Sequence, residues 1–340
     1  MTTPSSLIPH PPSLPYRAPW WLPGGHAQTV YASVCAPRPA VDYRRSRWEA
    51  PDGDFIDLDW VEGPPLVTRH SSPDAPLLAL FHGLEGSSRS HYAVALMAAV
   101  RDAGWRGVVV HFRGCSGAPN RLPRAYHSGD AAEIDWIGRR LRERHATGPF
   151  FAAGVSLGGN ALLKWLGEGG ASAQAVVDRA AAVSAPVDLM RAGDALGSGF
   201  NLLYARYFLA SLKPKALAKL EAHPGLYDPA SVRRSGTLRE FDNCVTAPLH
   251  GFRDTDDYWT RASSKPLLRG IAVPTLVINA RNDPFLPAAA LPGQHEVAPA
   301  VTLEQPEDGG HTGFVSGPFP GNLDWLPRRM LDFFGAAPDG

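Results

Sequence analysis

The stretch "FFAAGVSLGGNALLKW", residues 150–165, sets one serine between glycines directly after an apolar run. Its centre, Gly154-Val155-Ser156-Leu157-Gly158, fits the pattern G-x-S-x-G. In a chain of this composition roughly 0.2 such matches arise by chance, so the pentapeptide alone decides little. Its surroundings decide more. The run "PFFAAGV" before it reads as a buried strand, and "NALLKWLGE" after it reads as a helix. A serine on a sharp strand-to-helix turn needs small neighbours because backbone crowds it on both sides, and Gly154 and Gly158 supply that space. The helix start also directs N–H groups and a partial positive charge at the serine. The competing reading is a structural serine in a glycine-rich turn.

Working outward, "PLLALF" (76–81), "RGVVVHF" (106–112), "QAVVDRAAAVSA" (174–185) and "PTLVINA" (274–280) are short apolar runs of the kind covered on both faces of a sheet. "AVTLEQP" (300–306) is a plausible last strand. "DFIDLDW" (54–60) alternates instead, which predicts a half-exposed antiparallel strand near an edge, with Asp57 and Asp59 on the wet face. Helical stretches intervene. "HYAVALMAAVRDAG" (91–104) ends in a glycine suited to a C-cap, and "SGDAAEIDWIGRRLRERH" (128–145) runs from acidic to basic as the helix dipole favours. Strands alternating with helices predict an α/β fold, a mostly parallel, doubly wound sheet.

Residues 186–272 break the rhythm and read as a helical cap insertion within one domain spanning 16–340. Inside it, "FNLLYARYF" repeats Phe200, Leu203, Tyr204, Tyr207 and Phe208 at helical spacing. That face either packs on its own domain or roofs a pocket for an apolar substrate, with Phe200, Tyr204 and Tyr207 as candidate pocket residues.

Hydrophobic residues make up 44% of the 340 and charged ones 19%, a globular balance. Lys plus Arg equals Asp plus Glu, 33 each, so net charge points to neither nucleic acid nor an anionic membrane. Cys35, Cys115 and Cys244 form no CxxC pair and no metal spacing with His, reading as free thiols in a reducing compartment. No apolar run approaches the ~18 residues needed to span a bilayer. Residues 1–15 are proline-rich with no signal pattern and read as a disordered lead-in. The expectation is a cytoplasmic protein without a membrane anchor.

A serine hydroxyl needs a base within hydrogen-bond reach. On doubly wound sheets such groups gather beyond the carboxyl ends of strands. Asp283 follows "TLVINA" in "RNDPF", and His311 follows "VTLEQP" in "EDGGHTGF". Asp308 sits awkwardly close to His311, Asp256 and Asp257 lie away from strand ends, and His295 follows no strand. The order Ser156, Asp283, His311 is that of a nucleophile, an orienting acid and a base on such a sheet. The turn "FHGLEGSS" (81–88) follows a strand, so the N–H groups of Leu84 and Leu157 are the candidate oxyanion donors. His82 is read as bracing that turn beside the pocket, and Glu85 has no evident partner. No metal or organic cofactor is implied.

These residues, with "PGGHAQT", "HFRGCSG", "EFDNCVTAPLHGF", "DYW" and "NDPF", resemble the α/β-hydrolase superfamily, specifically its YheT-like branch. The resemblance spans roughly residues 16–335. It implies carboxylester hydrolysis of short- to medium-chain acyl esters by a serine hydrolase, with Ser156 as nucleophile, Asp283 as orienting acid and His311 as base. It also implies acyl transfer to an alcohol as an alternative, because yeast relatives perform it. A non-catalytic binding protein on the same fold is the third reading. "PGGHAQT" and "EFDNCVTAPLHGF" have no physical account at this level, though His26 is a candidate for substrate contact.

Overall fold

The computed structural model describes residues 15–61 and 74–335. The disordered lead-in expected over 1–15 therefore lies, except for Pro15, outside the described residues. Eight strands form one sheet: β1 (Arg44–Glu49), β2 (Phe55–Val61), β3 (Leu77–Phe81), β4 (Arg106–Val110), β5 (Phe150–Val155), β6 (Arg179–Val183), β7 (Thr275–Ile278) and β8 (Val301–Glu304). Their spatial order is β1-β2-β4-β3-β5-β6-β7-β8. β2 runs antiparallel to both β1 and β4, and the remaining pairs are parallel.

Six helices matter for the site: α1 (Gly25–Val34), α2 (His91–Asp102), α3 (Ala131–Arg144), α4 (Leu157–Gly169), α5 (Leu189–Leu196) and α6 (Leu202–Ala222). Asp130 caps α3 by accepting the Glu133 N–H, as its capping sequence predicts. Gly104, just past α2, takes the left-handed φ of 76° that closes the helix.

The pleat sorts each strand between two cores. Leu77, Ala79 and Phe81 of β3 join Ile134, Ile137, Leu162 and Leu166 of α3 and α4. Leu78 and Leu80 face the other way, onto Leu96 and Val100 of α2 and Met330 of the C-terminal helix Trp325–Gly335. Each of these side chains larger than alanine, fully buried, contributes ~1.5–3 kcal/mol. Helices on both faces make this the mostly parallel, doubly wound α/β sheet expected from the alternation of elements.

One strand differs from its expectation. β2 is buried along its whole length and lies second from the edge, and β1 takes the edge. Asp57 and Asp59 are buried because Arg47 and Arg45 stand directly opposite on β1. Each arginine closes an ion pair at 2.7 Å. Cross-strand pairing meets the desolvation cost that alternation alone assigns to solvent.

Between β6 and β7 the chain runs through α5, α6 and several shorter helices. Leu196, Leu209, Val232, Leu238, Phe241 and Val245 from this interval form a separate apolar cluster closed by Phe285.

Candidate active site

Ser156 stands between β5 and α4 with φ 53° and ψ −123°, a strained conformation for a residue with a side chain. The flanking glycines are sterically required. A Cβ on Gly154 would lie 2.5 Å from the Gly158 carbonyl oxygen, and one on Gly158 would collide with the carbonyls of Phe81 and His82. The Ser156 N–H donates to Val183 at 2.9 Å, fastening the turn to the neighbouring strand.

Asp283 and His311 lie on loops beyond β7 and β8, both buried. His311 Nε2 is 2.9 Å from Ser156 Oγ. Its Nδ1 is 2.9 Å from Asp283 Oδ2 and 3.2 Å from Oδ1. Asp283 Oδ1 also accepts the Phe285 N–H at 2.7 Å, and the Phe285 ring stacks on the imidazole at 4.0 Å. With Nδ1–H donated to the carboxylate, Nε2 is left to accept the serine proton, the arrangement that activates a hydroxyl.

The turn after β3 commits its N–H groups unevenly. Gly83 donates to the Tyr92 hydroxyl, Glu85 to the Tyr126 hydroxyl and Gly86 to the Gly83 carbonyl. Leu84 lies between them, and among the described residues its N–H meets no acceptor. The Leu157 N–H, opening α4, is in the same state. Both residues line the cavity that contains Ser156 and His311. Two unspent donors beside a candidate nucleophile can receive a developing oxyanion.

That cavity has a volume of about 430 Å³. Leu189, Ala192 and Leu196 of α5, Phe208, Leu212 and Ala216 of α6, and Leu238, Phe241 and Val245 supply apolar walls. Among the described residues no group of three His, Cys, Asp or Glu side chains could hold a metal ion.

Four pocket expectations are corrected. Phe200 and Tyr207 are 57% and 75% exposed and do not line the cavity. Tyr204 turns to His26, whose Nδ1 lies 3.1 Å from its hydroxyl, and to the Phe285 ring. α6 carries apolar residues on more than one side, and its buried Ala205, Leu209 and Ala216 set a rotation that leaves only Phe208 of the aromatic group against the cavity. His82 is fully buried behind the turn: Nδ1 lies 2.8 Å from the Gly83 carbonyl and Nε2 accepts the Phe112 N–H. Burial pushes its pKa down to about 3, so the ring braces the turn as a neutral group, and it does not line the cavity that holds Ser156.

The two motifs without a physical account now have one. In "PGGHAQT", Thr29 accepts the His311 N–H at 2.8 Å, and Gln28 Oε1 accepts the Gly309 N–H at 2.9 Å. Asn282 donates to Gln28 at 3.0 Å and to Asp308 at 2.8 Å, tying the Asp283 loop into the same network. A Cβ on Gly25 would strike the Asn282 carbonyl, so the glycine permits the approach. In "EFDNCVTAPLHGF", residues Asp242–Thr246 form a π-helical turn that places Phe241 and Val245 on the cavity wall. Partly buried Asp242 accepts from Thr246 and from Trp259 Nε1 at 2.8 Å. α1 buries Gln28 and Thr29 and exposes Val30 and Val34, so no apolar periodicity in the sequence pointed to the first network.

A family model described as "alpha/beta hydrolase fold" matches residues 76–318. The chain belongs to the α/β-hydrolase-fold family, in its YheT-like branch. "Putative esterase YheT" of Escherichia coli (strain K12) is 43% identical over 292 residues, covering 84% of this chain and 83% of that protein. "Phospholipase ABHD3" of Homo sapiens is 29% identical over 321 residues, covering 93% and 77% respectively. Among solved structures, "Esterase (EaEST) from Exiguobacterium antarcticum" superposes with a TM-score of 0.53 at 15% identity, covering 86% of this chain and 99% of that one. A likeness at that identity speaks for the fold alone. Among the described residues no helix is long and apolar enough to cross a membrane.

Proposed function

We propose that this protein is a serine-dependent carboxylic ester hydrolase acting on short- to medium-chain acyl esters through an acyl-enzyme. The observation that carries the reading is the unbroken hydrogen-bond chain from Ser156 Oγ through His311 to Asp283, each link 2.9 Å. Names of related proteins, an esterase and a phospholipase, support ester chemistry.

In this reading His311 Nε2 takes the Ser156 proton as Oγ bonds to the ester carbonyl carbon. The carbonyl oxygen becomes an oxyanion that the Leu84 and Leu157 N–H groups receive, each such donor being worth about 3 kcal/mol of barrier. Asp283 holds the imidazole and stabilises its charged form. The C–O bond then breaks, and the alcohol leaves with the proton from His311. Water, deprotonated by His311, attacks the acyl-enzyme and releases the acid and Ser156. The helices between β6 and β7 act as a cap, and the apolar cavity under α6 takes the acyl chain. Three unpaired thiols, Cys35, Cys115 and Cys244, support a cytoplasmic location.

Labelling with a fluorophosphonate tests the reading: the native chain reacts and Ser156→Ala does not. Equal labelling of both would place the nucleophile elsewhere. Nitrophenyl esters from acetate to palmitate, assayed with and without ethanol, then separate hydrolysis from acyl transfer by whether ethyl ester accumulates.

A further inference from the structure

Glu85 follows Leu84 directly, and three parts of the chain converge on it. Its φ of 55° is left-handed, a conformation held only where surroundings over-determine it. Its side chain is 6% exposed. Oε1 accepts the Tyr126 hydroxyl at 2.9 Å, with Cys115 Sγ at 4.0 Å. Oε2 accepts the Ser211 hydroxyl and pairs with Lys215 Nζ at 2.7 Å. The Glu85 N–H donates to Tyr126 in return. Ser211 and Lys215 are neighbours one turn apart on α6, so the helix that walls the cavity is bonded to the residue beside the unspent Leu84 donor.

We propose that Glu85 is a positioning residue: it holds the Leu84 N–H toward Ser156 and couples that donor to α6, so the oxyanion hole is complete only while the helix is seated. The inference rests on the ester-hydrolase reading of Ser156 and Leu84. Its physical basis is that a buried carboxylate needs its partners. With Lys215 and Ser211 in place, the carboxylate stays inward and residue 85 keeps its left-handed backbone. With α6 displaced, the charge turns to water and the turn relaxes toward ordinary φ values, taking the Leu84 N–H with it.

The test uses the full chain and three readouts: kcat and KM for a nitrophenyl ester, affinity for a trifluoromethyl ketone that forms a tetrahedral adduct on serine, and thermal midpoint. Glu85→Ala lowers kcat about 10-fold or more and weakens ketone affinity in proportion, while KM stays nearly unchanged, because an oxyanion contact is made mainly in the transition state. Glu85→Gln recovers part of the loss, since its amide still accepts the Tyr126 hydroxyl. Lys215→Met and Ser211→Ala, both on α6, shift kcat and ketone affinity in the same direction, and they carry the test if Glu85→Ala does not fold. A folded Glu85→Ala with native kcat and native ketone affinity overturns the positioning role, and native values in both α6 variants overturn the coupling. If the native protein neither turns over esters nor labels at Ser156, the functional reading itself falls, and the inference falls with it.

Discussion

The Thr29 hydroxyl accepts the backbone N–H of His311 at 2.8 Å, across 282 positions of sequence. The same hydroxyl donates to the Gly25 carbonyl at 2.6 Å, so the loop bearing the imidazole is fastened to the first turn of α1. The placement of the candidate base therefore depends on a helix from the opposite end of the chain.

Thr29→Val keeps the shape of this contact and removes its acceptor. The buried His311 N–H is then unsatisfied, which costs about 1–3 kcal/mol. A small displacement of the imidazole also lowers kcat, by about 10-fold or more. Urea unfolding and ester turnover check the two effects; native values of both would show that Gln28 and Asn282 suffice to hold the loop.

Gly158→Ala drives a methyl group into the carbonyls of Phe81 and His82, which are backbone and cannot step aside. The expected loss is about 2 kcal/mol or more, with α4 pushed off β3. Calorimetry checks it, and an alanine variant as stable as the native protein would mean the turn can open.

Stability falls on mild acidification. Burial pushes His82 down to about 3 and His91 down to about 4. In the unfolded chain both titrate near the ordinary ~6.5. Below that value the unfolded state takes up protons that the folded state refuses. Stability is thus full above ~6.5 and is lost as pH falls toward the folded values. Each group contributes up to about 1.4 kcal/mol per pH unit in that window. The urea midpoint at pH 5 should lie below that at pH 7 by an amount worth about 2 kcal/mol or more, and equal midpoints would contradict the buried neutral state of these rings.

Phe208 and Tyr207 are adjacent on α6 and separate the two faces of that helix. Phe208 lines the cavity and Tyr207 is 75% exposed. Phe208→Ala enlarges the pocket and moves the preferred acyl chain to greater length, whereas Tyr207→Ala leaves the profile unchanged. A chain-length series of nitrophenyl esters on both variants decides, and a shift with Tyr207→Ala instead would place the outer face against substrate.

The strand–turn–helix around Ser156 was legible because a crowded turn restricts its own neighbours to glycine, and buried strands are continuous apolar runs. The order of Ser156, Asp283 and His311 along the chain was legible too, since each follows a strand and parallel strands bring their carboxyl ends to one edge. Distances between the three were not, and the fold brings them within hydrogen-bond reach.

What local pattern left open was every choice settled by a remote partner. Alternation assigned Asp57 and Asp59 to water, and Arg45 and Arg47 on β1 drew them inside. Periodicity found an apolar face on α6, but the rotation of the helix was decided by what its other residues could bury. Glu85, Gln28 and Thr29 looked ordinary in sequence, because a polar side chain gains a role only from the group it meets. Residue spacing along the chain thus determined the sheet and the order of the candidate catalytic groups. Only tertiary packing decided which polar atoms are paired and which N–H groups remain unspent, since burial and hydrogen bonding are properties of contacts between distant segments.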